Sequence, residues 1–344
     1  MDLPKVADVV IIGAGISGLS VALPIVKAGL SVVVLDKGAP WSDASGANAG
    51  TLSIQVKRAE VLPLIHESIE RWKRMPEDYG VEVGFGQPGG IRVATTESEC
   101  LQLEESVGIQ KGNGMDVQML DREEVRRLGP WLGPAVKAGS ICPHDGYSNP
   151  LLVGNSMVTV ARQLGVVIAS DNCVTAIKRD KTSEIGRFSI KTAKGDTIYA
   201  SHVVNAAGAW AGEVATLLGA KLPMEVDVNM LTVTEPSPPL FDRVITHVGG
   251  ILSLKQLPNG TCLIGGGWQG RGCVNAGTKD IDYERFLHNM RIAVDVIPKL
   301  SNLRITRTWA GFEAVAPDAL PVMGQLGQDE HVWTLACARG GYSL

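Results

Sequence analysis

The sequence predicts an α/β fold, α+β overall, in which a Rossmann-like domain is interrupted by a second domain built on an antiparallel sheet. Two observations carry this prediction. A short β-branched strand, a glycine turn and a helix open the chain and lead directly to a second strand. Further along, a second strand-to-helix turn separates two long stretches of mainly strand-like pattern. This order indicates a first domain that the chain leaves twice and re-enters.

Length and composition fit a globular protein of two domains. The chain has 344 residues, 45% of them hydrophobic, and its 40 glycines are spread rather than clustered. Domains usually take roughly 100–200 residues each. The net charge is −4 and no long basic run occurs, so the sequence offers no electrostatic basis for binding nucleic acid.

The cysteines and the N-terminus indicate a cytoplasmic protein. The six cysteines form no CxxC pair and no histidine cluster accompanies them, so we predict reduced thiols, no disulfide framework and no metal site. The apolar N-terminal run contains Asp8 and is interrupted by glycines. Those features argue against a signal peptide and against a membrane span.

The glycine turn near the N-terminus predicts a dinucleotide site. Gly13, Gly15 and Gly18 fit the pattern G-x-G-x-x-G between two strands. The first glycine makes the tight turn, the second admits a pyrophosphate, and the third lets the helix pack on the strand. Asp36 ends the second strand, where a carboxylate binds a ribose hydroxyl. An acid there argues against NADP, whereas NAD and FAD both remain open on this evidence.

Small residues at three predicted strand ends favour a resident cofactor. The stretches are SGANAG, NAAGA and RGGYS. Small side chains permit a close approach of the backbone to a ligand. A cofactor that stays bound needs several chain segments around it, whereas NAD enters and leaves and needs little more than one turn and a cleft.

The pattern of elements also predicts where the two domains lie in the chain. We assign residues 1–55, 146–221 and 304–344 to the first domain. Residues 56–145 and 222–303 would form the second, substrate-binding domain.

Four stretches resemble the D-amino-acid oxidase superfamily of flavoproteins, which includes glycine oxidase and the flavin subunits of heteromeric opine, sarcosine and hydroxyproline dehydrogenases. They are DVVIIGAGISGLSVALPIVKAGLSVVVLDKG, ASGANAGTLS, VVNAAGAWAGEVATLLG, and TWAGFEAVAPDALPVMG followed by ARGGYSL. Many folds share the first stretch, and the fourth is the specific one. Together they cover almost the whole chain.

The resemblance implies FAD as cofactor and assigns residues to it. Glu313 and Thr51 would be the catalytic residues. The implied cofactor-binding residues are Gly13, Ala14, Gly15, Ile16, Ser17, Gly18, Asp36, Lys37, Ser45, Asn48, Ala49, Gly50, Thr51, Val174, Ala207, Gly208, Trp210, Gly311, Arg339, Gly340, Gly341, Tyr342 and Ser343.

The resemblance also implies the chemistry. Members of the superfamily oxidise the C–N bond of a small amine, amino acid or imino acid. A hydride passes to flavin N5, and the resulting imine hydrolyses to a carbonyl compound. Two alternatives remain on the sequence alone, an NAD-dependent dehydrogenase and a non-catalytic flavoprotein subunit of a larger complex.

Glu313 departs from the superfamily pattern. Amino-acid oxidases that it resembles often carry an arginine there, which clamps the substrate carboxylate. A glutamate cannot do so unless it is protonated. The carboxylate would then be held elsewhere, for example by Arg92, Lys255 or Arg271, or the substrate would present a cation to Glu313. Alternatively, Glu313 caps a local hydrogen-bond network.

The same departure occurs in flavin subunits of heteromeric dehydrogenases. It therefore favours a secondary amine or imino acid as substrate, and it makes a partner subunit, as well as oxygen, a possible electron acceptor. The resemblance further implies a helix after ARGGYSL, and the sequence ends at Leu344. We expect either a truncated chain or a short natural variant.

Overall fold

A computed structural model describes residues 3–179 and 187–336. The strands are β1 (Val6–Ile12), β2 (Val32–Leu35), β3 (Thr51–Leu52), β4 (Gly90–Ala94), β5 (Gln118–Leu120), β6 (Ala138–Cys142), β7 (Gly146–Tyr147), β8 (Val167–Ala169), β9 (Val174–Arg179), β10 (Phe188–Thr192), β11 (Thr197–Asn205), β12 (Glu225–Thr234), β13 (Val244–His247), β14 (Ser253–Gln256), β15 (Cys262–Gly265), β16 (Arg271–Cys273), β17 (Thr278–Asp280), β18 (Ile305–Val315), β19 (Val322–Gln325) and β20 (Val332–Ala336). The α-helices are α1 (Ile16–Lys27), α2 (Ala44–Ala47), α3 (Leu62–Tyr79), α4 (Glu97–Gly112), α5 (Arg122–Leu128), α6 (Pro150–Gln163), α7 (Ala211–Leu217) and α8 (Tyr283–Val296). Short 3-10 segments cover Ala59–Val61, Gly208–Trp210 and Pro298–Asn302.

The first large sheet has the order β19-β20-β11-β1-β2-β8, and β10 and β9 extend it from β11. The strands from β20 to β8 run parallel, and β19 is antiparallel to β20. The carboxyl ends of β1, β2 and β11 therefore meet at one edge. In sheets of this kind, ligands bind in the crevice outside those ends.

The second large sheet has the order β18-β12-β15-β14-β13-β4-β6-β5. Neighbours are antiparallel except β4 and β13, which are parallel. The mixed α/β fold with an antiparallel second sheet confirms the predicted fold class.

Strand β18 requires a correction to the predicted segment 304–344, which was assigned to the first domain. β18 pairs with β12 along its length, from Glu225 opposite Val315 to Thr234 opposite Ile305. It therefore belongs to the second sheet, because this long antiparallel pairing outweighs its position in the sequence. The other domain boundaries stay predictions.

Buried residues on both faces hold the first sheet together. Val9 and Ile11 of β1 lie in one apolar cluster, whereas Val10 and Ile12 lie in another on the opposite face. Side chains alternate between the two faces of a strand, so a continuous apolar run such as VVII marks a strand covered on both sides. Helix α1 packs so closely on the turn after β1 that a Cβ at Gly18 would lie 1.9 Å from the carbonyl oxygen of Gly13. This packing therefore requires glycine at position 18.

Candidate functional site

A cavity of about 590 Å³ lies between the two sheets. One end is walled by the carboxyl ends of β1, β2 and β11 with the loops that follow them. The other end is walled by residues of β12, β13, β14 and β18 and by Arg92 of β4. One chamber thus joins the glycine turn of the first sheet to the polar side chains of the second.

The glycine turn forms the first wall, and its three glycines differ in what restricts them. Gly13 has φ +110, and a Cβ there would lie 2.3 Å from the carbonyl oxygen of Ala206. Gly15 lines the cavity, and the nearest atom to an added Cβ is Ser45 Oγ at 3.0 Å. Gly13 and Gly18 are therefore required by the protein itself, whereas Gly15 borders the space that a ligand would fill.

Asp36 shapes the turn as well as lining the cavity. Its carboxylate accepts hydrogen bonds from the backbone N–H of Ala14 at 2.7 Å and of Gly38 at 2.9 Å. Burial raises the pKa of this carboxyl group, while the two backbone bonds oppose the rise. The neighbouring Lys37 places Nζ 2.9 Å from the ring centroid of Trp210 and so connects the end of β2 to the second turn.

Asn205 builds that second turn, at the end of β11. Its side chain donates to the carbonyl oxygen of Ala211 at 2.8 Å and accepts from the N–H of Ala207 at 3.3 Å. The turn presents Ala207 and Trp210 to the cavity. The Trp210 ring meets Phe312 of β18 edge to face, with 5.7 Å between the ring centroids. This contact joins the two sheets at the cavity wall.

The segment from Ser45 to Thr51 forms another wall. Ser45 Oγ accepts a hydrogen bond of 2.9 Å from the N–H of Ile16, at the start of α1. Asn48 accepts from the N–H of Gly50 at 2.7 Å. Gly50 has φ +69, and a Cβ there would lie 2.2 Å from the carbonyl oxygen of Ser148. Gly50 thus serves the turn into β3.

Most of the predicted cofactor residues come together at this cavity. Those that line it are Gly13, Gly15, Ile16, Ser17, Asp36, Lys37, Ser45, Asn48, Ala49, Thr51, Val174, Ala207, Gly208, Trp210 and Gly311. Among the described residues, three predicted positions lie behind the wall rather than in it: Ala14, Gly18 and Gly50. Five fall outside the described residues: Arg339, Gly340, Gly341, Tyr342 and Ser343.

Thr51 is fixed by a buried lysine of the second sheet. Lys255 Nζ donates to Thr51 Oγ1 at 2.7 Å, and Ser253 Oγ lies 3.0 Å from the same oxygen. The Lys255 side chain is 1% exposed, and burial lowers its pKa to about 7. A lysine whose pKa lies near neutral pH is therefore located directly behind the cavity wall.

Glu313 takes part in a hydrogen-bond chain. Asn229 donates to its carboxylate, and Gln269 Nε2 in turn donates to Asn229 Oδ1 at 2.5 Å. The Glu313 carboxylate also raises the pKa of Lys57, but burial dominates and lowers that pKa to about 8. Both Glu313 and Lys57 line the cavity, so the site holds an acid and a weakly basic amine close together. Lys57 was not predicted from the sequence, since nothing in SIQVKRAE distinguishes it from a surface lysine.

The structure separates the three basic residues proposed to hold a carboxylate. Arg92 lines the cavity. Lys255 is not among the described lining residues and is engaged with Thr51. Arg271 is 72% exposed and bonds Asp282 at 3.0 Å. Arg92 is therefore the one of the three that faces the cavity.

His247 lines the cavity but acts as a support. Its Nδ1 accepts a hydrogen bond of 2.7 Å from the N–H of Gly250, and its Nε2 lies 3.1 Å from Thr95 Oγ1. Burial lowers its pKa, with Glu99 opposing. A ring nitrogen that accepts from a backbone N–H is unprotonated, so this is a neutral imidazole holding the β13–β14 turn.

The fold and the cavity define a class of proteins in which a site suited to a dinucleotide lies between a mainly parallel sheet and a mainly antiparallel sheet. The sequence matches the family described as FAD dependent oxidoreductase over residues 8–344, and the chain belongs to this family. FAD is accordingly its cofactor, as predicted, and an NAD-dependent dehydrogenase is not favoured.

Named relatives agree with the family. The chain is 28% identical over 338 residues to mitochondrial dimethylglycine dehydrogenase of Rattus norvegicus, a match that covers 92% of this chain and 39% of that protein. It is 26% identical to one of the subunits of opine oxidase from Rhizobium meliloti, over 97% of this chain and 89% of that one. The crystal structure of glycine oxidase from Geobacillus kaustophilus superposes with a TM-score of 0.87 at 23% identity, over 99% of this chain and 92% of that chain. The chain thus spans about two fifths of the first relative's length.

The residues present fit FAD. Gly15 leaves open the space beside the N-terminus of α1, where N–H groups favour a phosphate. The carboxylate of Asp36 stands at the end of β2, in the position that suits a ribose hydroxyl. Small residues of two further segments, 45–49 and 206–209, also line the cavity. Among the described helices, none is long and apolar enough to cross a membrane.

Proposed function

We propose that this protein oxidises the C–N bond of a small amine, with an N-substituted amino acid or imino acid as the preferred class. The observation that carries the proposal is the single chamber, which places charged side chains of the second sheet beside the walls suited to FAD. The name dimethylglycine dehydrogenase supports this substrate class. The activity and substrate are proposals, since that relative is much longer than this chain.

FAD held by the walls that include Gly15, Asp36 and Trp210 would supply the hydride acceptor for this oxidation. The side chains of this protein prepare the amine for the loss of the hydride. An ammonium ion must first give up a proton, because a cationic nitrogen cannot release electrons towards a new C=N bond. Lys57 Nζ, whose pKa is about 8, accepts this proton, and Glu313 then stabilises the charged lysine. Water hydrolyses the resulting imine to a carbonyl compound and an amine.

Glu313→Gln tests the proposed role of the acid. Glutamine can still accept the hydrogen bond from Asn229, so the wall should keep its shape. Removing the charge should weaken binding of a cationic amine by roughly 10- to 150-fold, the worth of a charged hydrogen bond. It should also move the pH midpoint of amine oxidation to lower pH, because the carboxylate raises the pKa of Lys57.

Steady-state constants and their pH dependence measure both effects. Glu225→Gln, on the exposed start of the same β12–β18 pair, is the matched control and should change neither. Identical constants and identical pH profiles for Glu313→Gln and the wild type would exclude contact between Glu313 and the reacting amine.

An anaerobic titration tests the proposed function itself. The purified protein should be yellow, and its visible absorbance should fall when an N-substituted amino acid is added without oxygen. The corresponding 2-hydroxy acid, which has no C–N bond, should leave the absorbance unchanged. A yellow protein that no amine bleaches would instead support a non-catalytic flavoprotein subunit.

We also propose that a partner protein receives the electrons, which is supported by the name of the opine oxidase relative, since that protein is one subunit of an oxidase. Admitting air at the end of the same titration distinguishes the acceptors. Slow recovery of the yellow colour favours a partner, and immediate recovery favours oxygen. We further propose that the protein is located in the cytoplasm.

A further inference from the structure

Two polar atoms in the second sheet's half of the cavity are buried without a hydrogen-bond partner among the described residues. They are Nε of Arg92 and Oγ1 of Thr246. Both residues line the cavity. Buried polar groups are nearly always satisfied, and each exception needs an explanation such as an absent ligand.

The strand register places these two residues side by side. Arg92 of β4 lies directly opposite Thr246 of the parallel neighbour β13. Opposed residues on neighbouring strands project from the same face of a sheet. The two unsatisfied atoms thus belong to one patch of the cavity wall.

The charge of Arg92 has no strong partner within the described part of the protein. Its Nη1 makes a long hydrogen bond of 3.4 Å to the carbonyl oxygen of Gln55. Burial lowers the pKa of Arg92, and the charge that opposes this shift is Asp145. Arg92 is thus a half-buried cation whose Nε makes no hydrogen bond among the described residues.

Asp145 is committed to other donors. Its carboxylate accepts from Ser53 Oγ at 2.9 Å, from the N–H of Ile54 at 2.6 Å and from Gln55 Nε2 at 2.8 Å. These bonds fill the hydrogen-bonding sites that a guanidinium would otherwise use. Asp145 therefore moderates the charge of Arg92 without binding it.

We infer that Arg92 and Thr246 form the subsite that binds the substrate carboxylate. A guanidinium presents parallel N–H donors that match the two oxygens of a carboxylate, and the threonine hydroxyl supplies a further donor. This inference rests on the proposed function and locates the carboxylate on β4 and β13, away from the β18 position where Glu313 stands. The substrate then extends from Arg92 to the Lys57–Glu313 pair, and must carry both a carboxylate and an amine.

Equilibrium binding to the FAD-loaded protein tests the subsite independently of turnover. The probes are propionate and cyclopentanecarboxylate, each compared with its neutral primary amide, and titration calorimetry gives the dissociation constants. Arg92→Met should weaken carboxylate binding by roughly 10- to 150-fold and leave amide binding unchanged. Thr246→Val, of equal shape, should weaken it by roughly 2- to 10-fold.

The chain offers a matched control in Arg243. It is also a half-buried arginine, just before β13, whose Nε has no hydrogen-bond partner among the described residues, although Asp242 Oδ1 lies 3.8 Å away, and it does not line the cavity. Arg243→Met should bind carboxylates as the wild type does. Arg92→Lys, which keeps the charge and loses the fork, should fall between wild type and Arg92→Met.

Two results would overturn the inference: equal carboxylate affinity in wild type and Arg92→Met, or equal affinity of wild type for a carboxylate and its amide. If Arg92→Met fails to fold, the carboxylate affinity of Thr246→Val decides instead, and an affinity equal to that of the wild type would overturn the inference. If carboxylates bind through Arg92 and no amine bleaches the flavin, the subsite stands and the proposed function fails. If an N-substituted amino acid bleaches the flavin at the same concentrations in wild type and Arg92→Met, the proposed function stands and the subsite fails.

Discussion

Replacing Gly15 by valine is expected to lower the flavin content of the purified protein roughly tenfold or more while the protein stays folded. Gly15 has φ −84 and ψ −170, an extended conformation that valine adopts without strain. The nearest atom to its new Cβ is the movable hydroxyl of Ser45 at 3.0 Å. The added methyl groups would fill the space that the pyrophosphate needs, so the damage falls on the ligand.

Two other glycines serve as controls for this experiment. Gly18→Val should unfold the protein, because its Cβ would collide with the Gly13 carbonyl oxygen. Gly108→Val, on α4 with open space around it, should retain both flavin and fold. The ratio of flavin to protein absorbance and a circular dichroism melt measure the outcome. Full flavin occupancy in folded Gly15→Val protein would refute the assignment of the pyrophosphate to this turn.

Replacing Lys255 by methionine is expected to stabilise the flavin-free protein at neutral pH, in spite of the lost hydrogen bond to Thr51. Methionine has a similar length, and Ser253 remains beside the threonine oxygen. The gain should be roughly 3–5 kcal/mol, since each unit of lowered pKa corresponds to about 1.4 kcal/mol of cost for the charged form.

The pH dependence of this gain follows from the pKa of about 7 in the folded protein and the ordinary 10.5 of an unfolded chain. Between those values the unfolded state binds more protons, so wild-type stability rises as the pH rises. The stability difference between Lys255→Met and wild type should therefore be largest at pH 7 and below and shrink towards pH 10.5. Urea unfolding at pH 7 and pH 10 measures it, with Lys221→Met, at an exposed lysine, as control. An equal stability difference at both pH values would contradict the lowered pKa of the buried Lys255.

Local patterns predicted the first sheet well. The strand β1, the glycine turn and Asp36 follow one another within the first 36 residues and contact one another, so a local motif was enough to predict them. The sequence did not predict the pairing of β18, which lies in the segment assigned to the first domain, because its partner, β12, begins at Glu225, far away in the sequence. Which strands pair over such sequence distances depends on the whole fold and cannot be predicted from the pattern of either strand alone.

The site was predictable where a motif fixed a residue's place and not where burial decided its chemistry. The motif around Glu313 indicated that an unusual acid faces the cavity, but its partner Asn229 comes from another strand. The sequence could not rank Arg92 above Lys255, because both are basic residues in strand patterns. Only the structure shows that the Lys255 side chain is buried behind the cavity wall, whereas Arg92 lines the cavity.

The most direct test of amine oxidation by this protein is an anaerobic single turnover in which flavin bleaching and carbonyl product are quantified together. An N-substituted amino acid should yield one carbonyl molecule for each flavin bleached, because each hydride lost from the substrate leaves one imine, which water then hydrolyses to one carbonyl compound. Its primary-amide derivative should react much more weakly, since it lacks the carboxylate for Arg92. Bleaching without a carbonyl product, or a carbonyl product without bleaching, would contradict amine oxidation by FAD in this cavity.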